Sequence, residues 1–387
     1  MFRNDPCHDG VDTGKTLIAP TLLWNYTIDG PVESSPAMVN GVLYIGSSED
    51  NVYALKASNG AQLWNYTTGK LVWSSPAVVG GVVYIGSEDG NVYALKASDG
   101  AKLWNYTTST NINVASSPTI VKDVVYVGSD NGKVYALNAV NGAKIWNYTT
   151  GNEVVSSPAV VAGVVYVGSF DGNVYALSAT SGAQLWNYTT GEHVASSPAV
   201  VGGVVFVGSM DGNIYALNAT NGAKIWSYAT ANMVFSSPAV YHGVVYVGSD
   251  DNRVYALNAS NGIQLWNYTT GNDVASSPAV VNGIVYVGSE NGKVYALNAT
   301  NGIQLWNYII GGPVFSSPAV VDGVVYVGSD GHVYALGGST RSHSPTSYTP
   351  LFIMIGVVIA VVIVAVVVFL MFQKRLKTKP ASPLPTP

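Results

Sequence analysis

The chain has 387 residues, with 17 Lys and Arg against 22 Asp and Glu, so only 10% of it is charged and its net charge is −5. All of the acids precede residue 351, while Lys374, Arg375, Lys377 and Lys379 follow it; the long acidic part excludes a nucleic-acid binder, because phosphate contacts need a basic footprint. The 42 Gly, 25 Tyr and Val-rich background read as strand and turn and exclude a disordered chain or a helical bundle, and a single cysteine, Cys7, excludes an internal disulfide framework.

The N-terminal lead-in, residues 1–20, opens with Met1-Phe-Arg-Asn-Asp-Pro6, which lacks the apolar stretch of a signal peptide. We read the sequence as truncated ahead of its first domain. An isolated strand over 22–27 follows, centred on Trp24. From there the chain repeats itself. Trp recurs at Trp24, Trp64, Trp104, Trp146, Trp186, Trp226, Trp266 and Trp306, a Ser-Ser-Pro triplet begins at Ser34, Ser74, Ser116, Ser156, Ser196, Ser236, Ser276 and Ser316, and Tyr-Ala-Leu begins at eight positions from Tyr53 to Tyr334. Each spacing is about 40 residues.

Within one unit, strands are expected at 73–79, 82–87, 91–97 and 101–108. Asp-Gly and Asn-Gly pairs such as Asp89-Gly90 and Asn141-Gly142 supply the positive φ that tight hairpins require. Four short strands joined by tight turns make an antiparallel meander. Proline cannot donate a ladder hydrogen bond, so Ser-Ser-Pro belongs on a sheet edge, and its small residues suit the narrow inner end of a radial array. The next two strands are apolar on both faces, as expected of sheets sandwiched between neighbours. Eight such sheets predict an all-β fold, an eight-bladed β-propeller over residues 21–338. The series begins with a lone fourth-strand equivalent and ends at Tyr334-Ala-Leu336 with none after it. The N-terminal strand is therefore expected to complete the last blade and close the ring.

A stalk rich in Ser, Thr and Pro follows over 339–350, then 22 residues without a charge, 351–372. As a helix these would span about 33 Å, enough for a bilayer core of about 30 Å. The basic, Pro-rich tail 373–387 is expected in the cytoplasm by the positive-inside rule. This predicts a single-pass cell-membrane protein with its propeller outside. Asn-x-Ser/Thr sequons for glycosylation at Asn25, Asn65, Asn105, Asn147, Asn187, Asn218, Asn258, Asn267 and Asn298 suit that side of the membrane.

The run Tyr135-Ala-Leu-Asn-Ala-Val-Asn-Gly-Ala-Lys-Ile-Trp-Asn-Tyr148 resembles the tryptophan-docking repeat of the quinoprotein-type, PQQ-like propellers. The resemblance covers roughly 21–338 and implies that the eight Trp of the repeat pack between blades. It also implies two kinds of relative. Quinone-dependent dehydrogenases of this type carry a vicinal cysteine pair, calcium-ligating carboxylates and long inserts; a non-catalytic surface branch keeps the repeat alone. With one Cys and almost no inserts, the chain is read as the second kind, with no cofactor and no metal.

An eightfold repeat disfavours catalysis, which needs different groups converging at one place; Glu192 and His193 are adjacent in sequence but have no identifiable nucleophile. Departures from the repeat are then the places to look for function. They concentrate just before Ser-Ser-Pro, at Glu33, Trp73, Glu153, His193, Met233, Phe235, Asp273 and Phe315, and in the turn between second and third strands, at Glu88, Asp130, Phe170, Met210, Asp250 and Glu290. Both sets fall on one face of a propeller. The expectation is a binding, adhesion or scaffold module with envelope proteins or glycans as partners. The alternatives are a quinone-dependent oxidoreductase and an envelope-protein assembly factor.

Overall fold

The computed structural model describes residues 11–12, 16–110 and 112–341. Eight antiparallel sheets follow one another. Blades I to VII occupy residues 37–67, 77–107, 119–149, 159–189, 199–229, 239–269 and 279–309, and blade VIII is built from Ala319–Val321, Val324–Ser329, His332–Arg341 and the N-terminal strand Thr16–Thr27. First strands meet in sequence around the ring, and that of blade VIII meets that of blade I.

The first strand is shorter than the sequence suggests: in blade II it spans Ala77–Val79 and does not begin at Trp73. Ser-Ser-Pro makes its bonds outside the ladder. The first serine's Oγ accepts the N–H of the glycine ending the second strand of its own blade, from Gly46 to Ser34 through Gly328 to Ser316, at 2.9 to 3.1 Å. The second serine donates its backbone N–H to the second serine of the next blade. The series runs Ser35 to Ser75, Ser117, Ser157, Ser197, Ser237, Ser277 and Ser317, and Ser317 donates back to Ser35, all at 2.9 to 3.1 Å. Eight bonds thus form a closed hoop around the axis and satisfy donors that an inner edge would leave unpaired.

The core lies between blades. In the third strand of blade I, Val52 and Ala54 pack with blade II while Tyr53 and Leu55 pack with blade VIII, the period of two expected of a strand buried on both faces. Each repeat Trp sits in the fourth strand opposite the Ala of Tyr-Ala-Leu, as Trp64 does opposite Ala54, and reaches into the following blade. Its Nε1 donates to a carbonyl there, Ala57, Ala97, Ala139, Ala179, Ala219, Ala259 or Ala299, at 2.8 to 3.0 Å. The glycine of the following 3–4 turn is required by this docking: at Gly100, with φ of +74°, a Cβ would stand 2.7 Å from the Trp64 ring.

Closure is seen at both edges of blade VIII. Trp24 pairs with Ala335 and Asn25 with Tyr334, and Trp24 donates to Ala57 of blade I. The closing strand is longer than 22–27, starting at Thr16, which pairs with Arg341. Blade VIII has no turn between its third and fourth strands, so the two run on together past the level where other blades turn. That extension supplies Leu17, whose carbonyl takes the place of the missing alanine: Trp306 Nε1 donates to it at 2.9 Å, and Leu17 N donates to Tyr286 Oη at 3.1 Å. Farther back, Val11–Asp12 pairs in parallel with Val280 and Val281 of the inner strand of blade VII, an addition the repeat did not announce.

Among the described residues no helix is long and apolar enough to cross a membrane. The expected membrane segment 351–372 and tail 373–387 lie outside the described residues, as do residues 342–350 of the stalk and Cys7 of the lead-in.

Candidate functional site

We call upper the face formed by the turns between second and third strands and by the connections between blades, and lower the face formed by the other turns. On the upper face the connections follow one pattern. A valine two residues before each Ser-Ser-Pro, such as Val72 or Val194, is buried and packs over the glycine that ends the preceding blade's second strand, Gly46 and Gly168 in these cases. The residues flanking that anchor point elsewhere, and the structure sorts the sequence candidates into two rings.

The inner ring is the position directly before Ser-Ser-Pro. It holds Phe315, Glu33 and Trp73 in the consecutive blades VIII, I and II, then Ala115, Val155 and Ala195, then Phe235 and Ala275. Phe315, Glu33 and Trp73 are exposed, and Phe235 is partly buried. Their blades are joined two residues later by the bonds from Ser317 to Ser35 and from Ser35 to Ser75. Phe315, Glu33 and Trp73 therefore form one arc at the channel mouth.

The outer ring joins each connection to the turn of its own blade by a backbone bond: Phe170 N to Glu153 O, Met210 N to His193 O, Asp250 N to Met233 O and Glu290 N to Asp273 O, at 2.8 to 3.0 Å. The ring of His193 lies parallel to that of Phe170 in the preceding blade, with centroids 4.9 Å apart. His193 is thus packed as an aromatic surface element, with Glu192 contributing its carbonyl to Thr190 and Ser209.

Carboxylates collect in two sectors. In blades I to IV, burial, opposed by Lys70 and reinforced by Asp50, pushes Glu88 up. Asp130 is pushed up to about 7, chiefly by burial and then by Glu153 and Glu88. In blades VI and VII, Asp250 is pushed up to about 6 by burial, then by Asp273, Glu290 and Asp251, and burial followed by Asp273 raises Glu290. Asp130 Oδ1 and Asp250 Oδ1 are buried and accept no hydrogen bond from the protein.

The neighbouring turn aspartates behave in the opposite way. Burial opposes ionisation of Asp89, but the Tyr93 hydroxyl at 2.6 Å and the backbone N–H groups of Gly69 and Asn91 outweigh it and hold its carboxyl below the usual range. Asp171 and Asp211 repeat this arrangement. These carboxylates are turn caps.

The raised groups set a pH dependence. A carboxyl that titrates higher in the fold than in the unfolded chain, where it titrates near 3.9, binds more protons when folded. Its contribution is lost as pH rises from about 4 toward 7. Asp130→Asn is expected to leave stability unchanged near pH 4 and to raise it at pH 8 by on the order of 1 kcal/mol, the figure being discounted for solvent screening. Urea unfolding at the two pH values measures this; equal effects at both would contradict it.

Among the described residues no group of three or more His, Cys, Asp or Glu is placed to hold a metal ion. The sequon residues Asn65, Asn105 and Asn187 are exposed on fourth strands, and their Nδ2 atoms donate to Asn51, Asn91 and Asn173 at 3.0 to 3.4 Å; Asn25, Asn147 and Asn267 occupy equivalent exposed positions. Asn218, Asn258 and Asn298 cap lower turns through Oδ1.

The family model described as outer membrane protein assembly factor BamB matches residues 17–173, 170–280 and 271–344. The chain belongs to this PQQ-like repeat family. The crystal structure of BamB from Moraxella catarrhalis is 22% identical, covers 83% of this chain and 100% of its own, and superposes with a TM-score of 0.72. A europium-containing methanol dehydrogenase is 14% identical, covers 87% of this chain and 97% of its own, with a TM-score of 0.76. The quinohemoprotein alcohol dehydrogenase from Comamonas testosteroni is 17% identical over 89% of this chain and 81% of its own, with a TM-score of 0.74. At such identities the likeness is one of fold, shared by BamB-type and dehydrogenase propellers alike. No curated protein matches the chain.

Proposed function

We propose that the chain is a non-catalytic, membrane-anchored binding module of the cell envelope, its propeller outside and its upper face holding a protein partner. The observation that carries this reading is the arc of Phe315, Glu33 and Trp73 at the channel mouth, backed by the raised carboxyls of Asp130 and Asp250, whose buried Oδ1 atoms accept no hydrogen bond from the protein. Exposed aromatic side chains supply large, rigid contact area. Carboxyls whose ionisation burial and mutual repulsion disfavour gain most from an incoming Lys or Arg, which points to a basic segment of the partner. The family's description as an assembly factor supports an envelope protein in that role; a glycan would use the same aromatic arc and leave the carboxylates unmatched.

Cross-linking in native envelope membranes tests the proposal. Trp73→Ala with Glu153→Gln should remove the cross-linked partner while leaving the melting temperature within about 2 °C, since surface changes of this kind alter stability by about 0.5 kcal/mol. An undiminished cross-link would sink it. The fold shared with alcohol dehydrogenases supports a second reading, a quinone-dependent oxidoreductase. Dye-linked oxidation of alcohols or sugars after addition of PQQ and calcium is expected to stay at background, and robust turnover would favour that second reading.

A further inference from the structure

The strand Val11–Asp12 meets the propeller from inside. It adds to the axis side of the first strand of blade VII, pairing Val11 with Val280 and Asp12 with Val281, and it also lies near the first strand of blade VI, Ala239–Tyr241. First strands line the channel, so Val11 and Asp12 lie within it. The wall differs where they pass: Val281 is 1% exposed, whereas Val79 at the same position of blade II is 38% exposed. The two turn residues that follow, Asn282 and Gly283, are partly buried, and their counterparts in blades I to VI are exposed.

The pairing is parallel, and that fixes a direction. First strands descend from the connections of the upper face to the lower turns, so Val11–Asp12 descends as well, toward Thr16 and the lower extension of blade VIII. A chain that enters Val11 in this direction comes from the upper side, and the edge of an inner strand offers backbone donors and acceptors along the whole climb. Val280 stands seven residues after Asp273 of the upper face, about 23 Å of extended strand. Arg3 stands eight residues before Val11, a reach of about 26 Å.

The upper mouth of the same two blades carries Asp250, Asp273 and Glu290. Asp250 Oδ1 is buried and accepts no hydrogen bond from the protein, and the charges of Asp273 and Glu290 add to the burial that disfavours its ionisation. Arg253 of blade VI is engaged by Tyr255 and Asp251. Arg3 is the one Lys or Arg among residues 1–14, and a guanidinium presents a planar fork of donors that matches carboxylates.

We infer that residues 1–10 thread the channel along blades VI and VII and bring Arg3 to Asp250, Asp273 and Glu290 at the upper mouth. The arc of Phe315, Glu33 and Trp73, on blades VIII, I and II, stays open beside it. Of the two carboxylate sectors, the one in blades I to IV is then left to a partner. That consequence rests on the function proposed above; the threading does not.

Cys7, the only cysteine of the chain, reports the threading in the full chain held in detergent micelles without any partner. Its rate of reaction with a polymer-tethered maleimide, divided by its rate in urea, is compared with that of Ser98→Cys on an exposed lower turn in a Cys7→Ser chain. Cys7 is expected to react at least about tenfold more slowly than position 98. Arg3→Glu sets another acid against the cluster and should raise the Cys7 rate at least about fivefold with the thermal transition unchanged, while Arg3→Lys should raise it less. Equal rates at positions 7 and 98 overturn the threading. A slow Cys7 that Arg3→Glu leaves slow overturns the seat of Arg3 at the mouth. Protection that is lost on dilution overturns the seat within one chain in favour of a segment lent by a second copy. None of these results bears on the partner cross-link from position 73, so failure here and failure of the proposed function are read apart.

Discussion

Deleting residues 1–28 is expected to abolish cooperative folding at 37 °C, or at the least to lower the melting temperature by more than about 15 °C. The deletion removes the fourth strand of blade VIII and exposes the ladder from His332 to Arg341 as an unpaired edge. It also empties two of the cores between blades. Trp24 leaves the one shared by blades VIII and I, and Leu17 leaves the one shared by blades VII and VIII. Trp306 and Tyr286 then face no backbone partner where Leu17 stood. Loss of one buried Trp alone costs about 3 to 5 kcal/mol, against a total stability of about 5 to 15 kcal/mol for a typical domain. An unchanged thermal transition would refute closure through the N-terminal strand.

The second large effect concerns the repeat tryptophans and ranks two of them. Trp146→Ala should cost about 3 to 5 kcal/mol, measured by urea unfolding. The Ala179 carbonyl, which accepts from Trp146 Nε1 at 3.0 Å, keeps a second donor, the Tyr126 hydroxyl at 3.0 Å. Blade V lacks that reserve. Phe206 stands where the other blades have Tyr, so Trp226 is the side-chain donor to Ala259. Trp226→Ala is therefore expected to cost about 1 kcal/mol more than Trp146→Ala, because it leaves a shielded acceptor unmet. Leu265→Ala, at an exposed position of a fourth strand, should change stability by no more than about 0.5 kcal/mol. Indistinguishable losses at Trp146 and Trp226 would show that the hydroxyl contributes nothing.

Why so much of the ring could be read from residue spacing, and where that reading stopped, has physical causes. Eight copies of Trp, Ser-Ser-Pro and Tyr-Ala-Leu in fixed order imply eight equivalent sheets, since a motif that recurs in register must meet the same neighbours each time. The unpaired Trp24 strand and the missing strand after Leu336 announced closure for the same reason. Leu17 escaped notice because it acts through its carbonyl, which any residue possesses. The serine hoop was hidden behind the proline: Pro76 marked an edge, but nothing local says that the Ser75 N–H is satisfied by Ser117 of the next blade. The start of the first strand at Ala77 follows from that same bond, which draws the serines out of the ladder.

The candidate face was legible as a pattern of departures and illegible in its depth. Glu33, Trp73 and Phe315 stood in one set with Glu153, His193 and Asp273 because all precede Ser-Ser-Pro. Their side chains diverge because one buried valine separates them, directing the last residue to the channel and the earlier one to the turn. Asp89 and Asp130 fall in the same kind of turn, yet one is a capped carboxylate and the other a raised one. The difference lies in whether a Tyr hydroxyl and backbone N–H groups reach the oxygen.

The most direct test of the account places a photoreactive side chain at position 73, 235 or 315 on the upper face and at 103, 145 or 225 on the outer rim, in the membrane-bound chain. The account predicts a discrete protein adduct from the upper positions, weakest at the partly buried 235, and none from the rim. Adducts of equal yield from both sets, or from the rim alone, would contradict it.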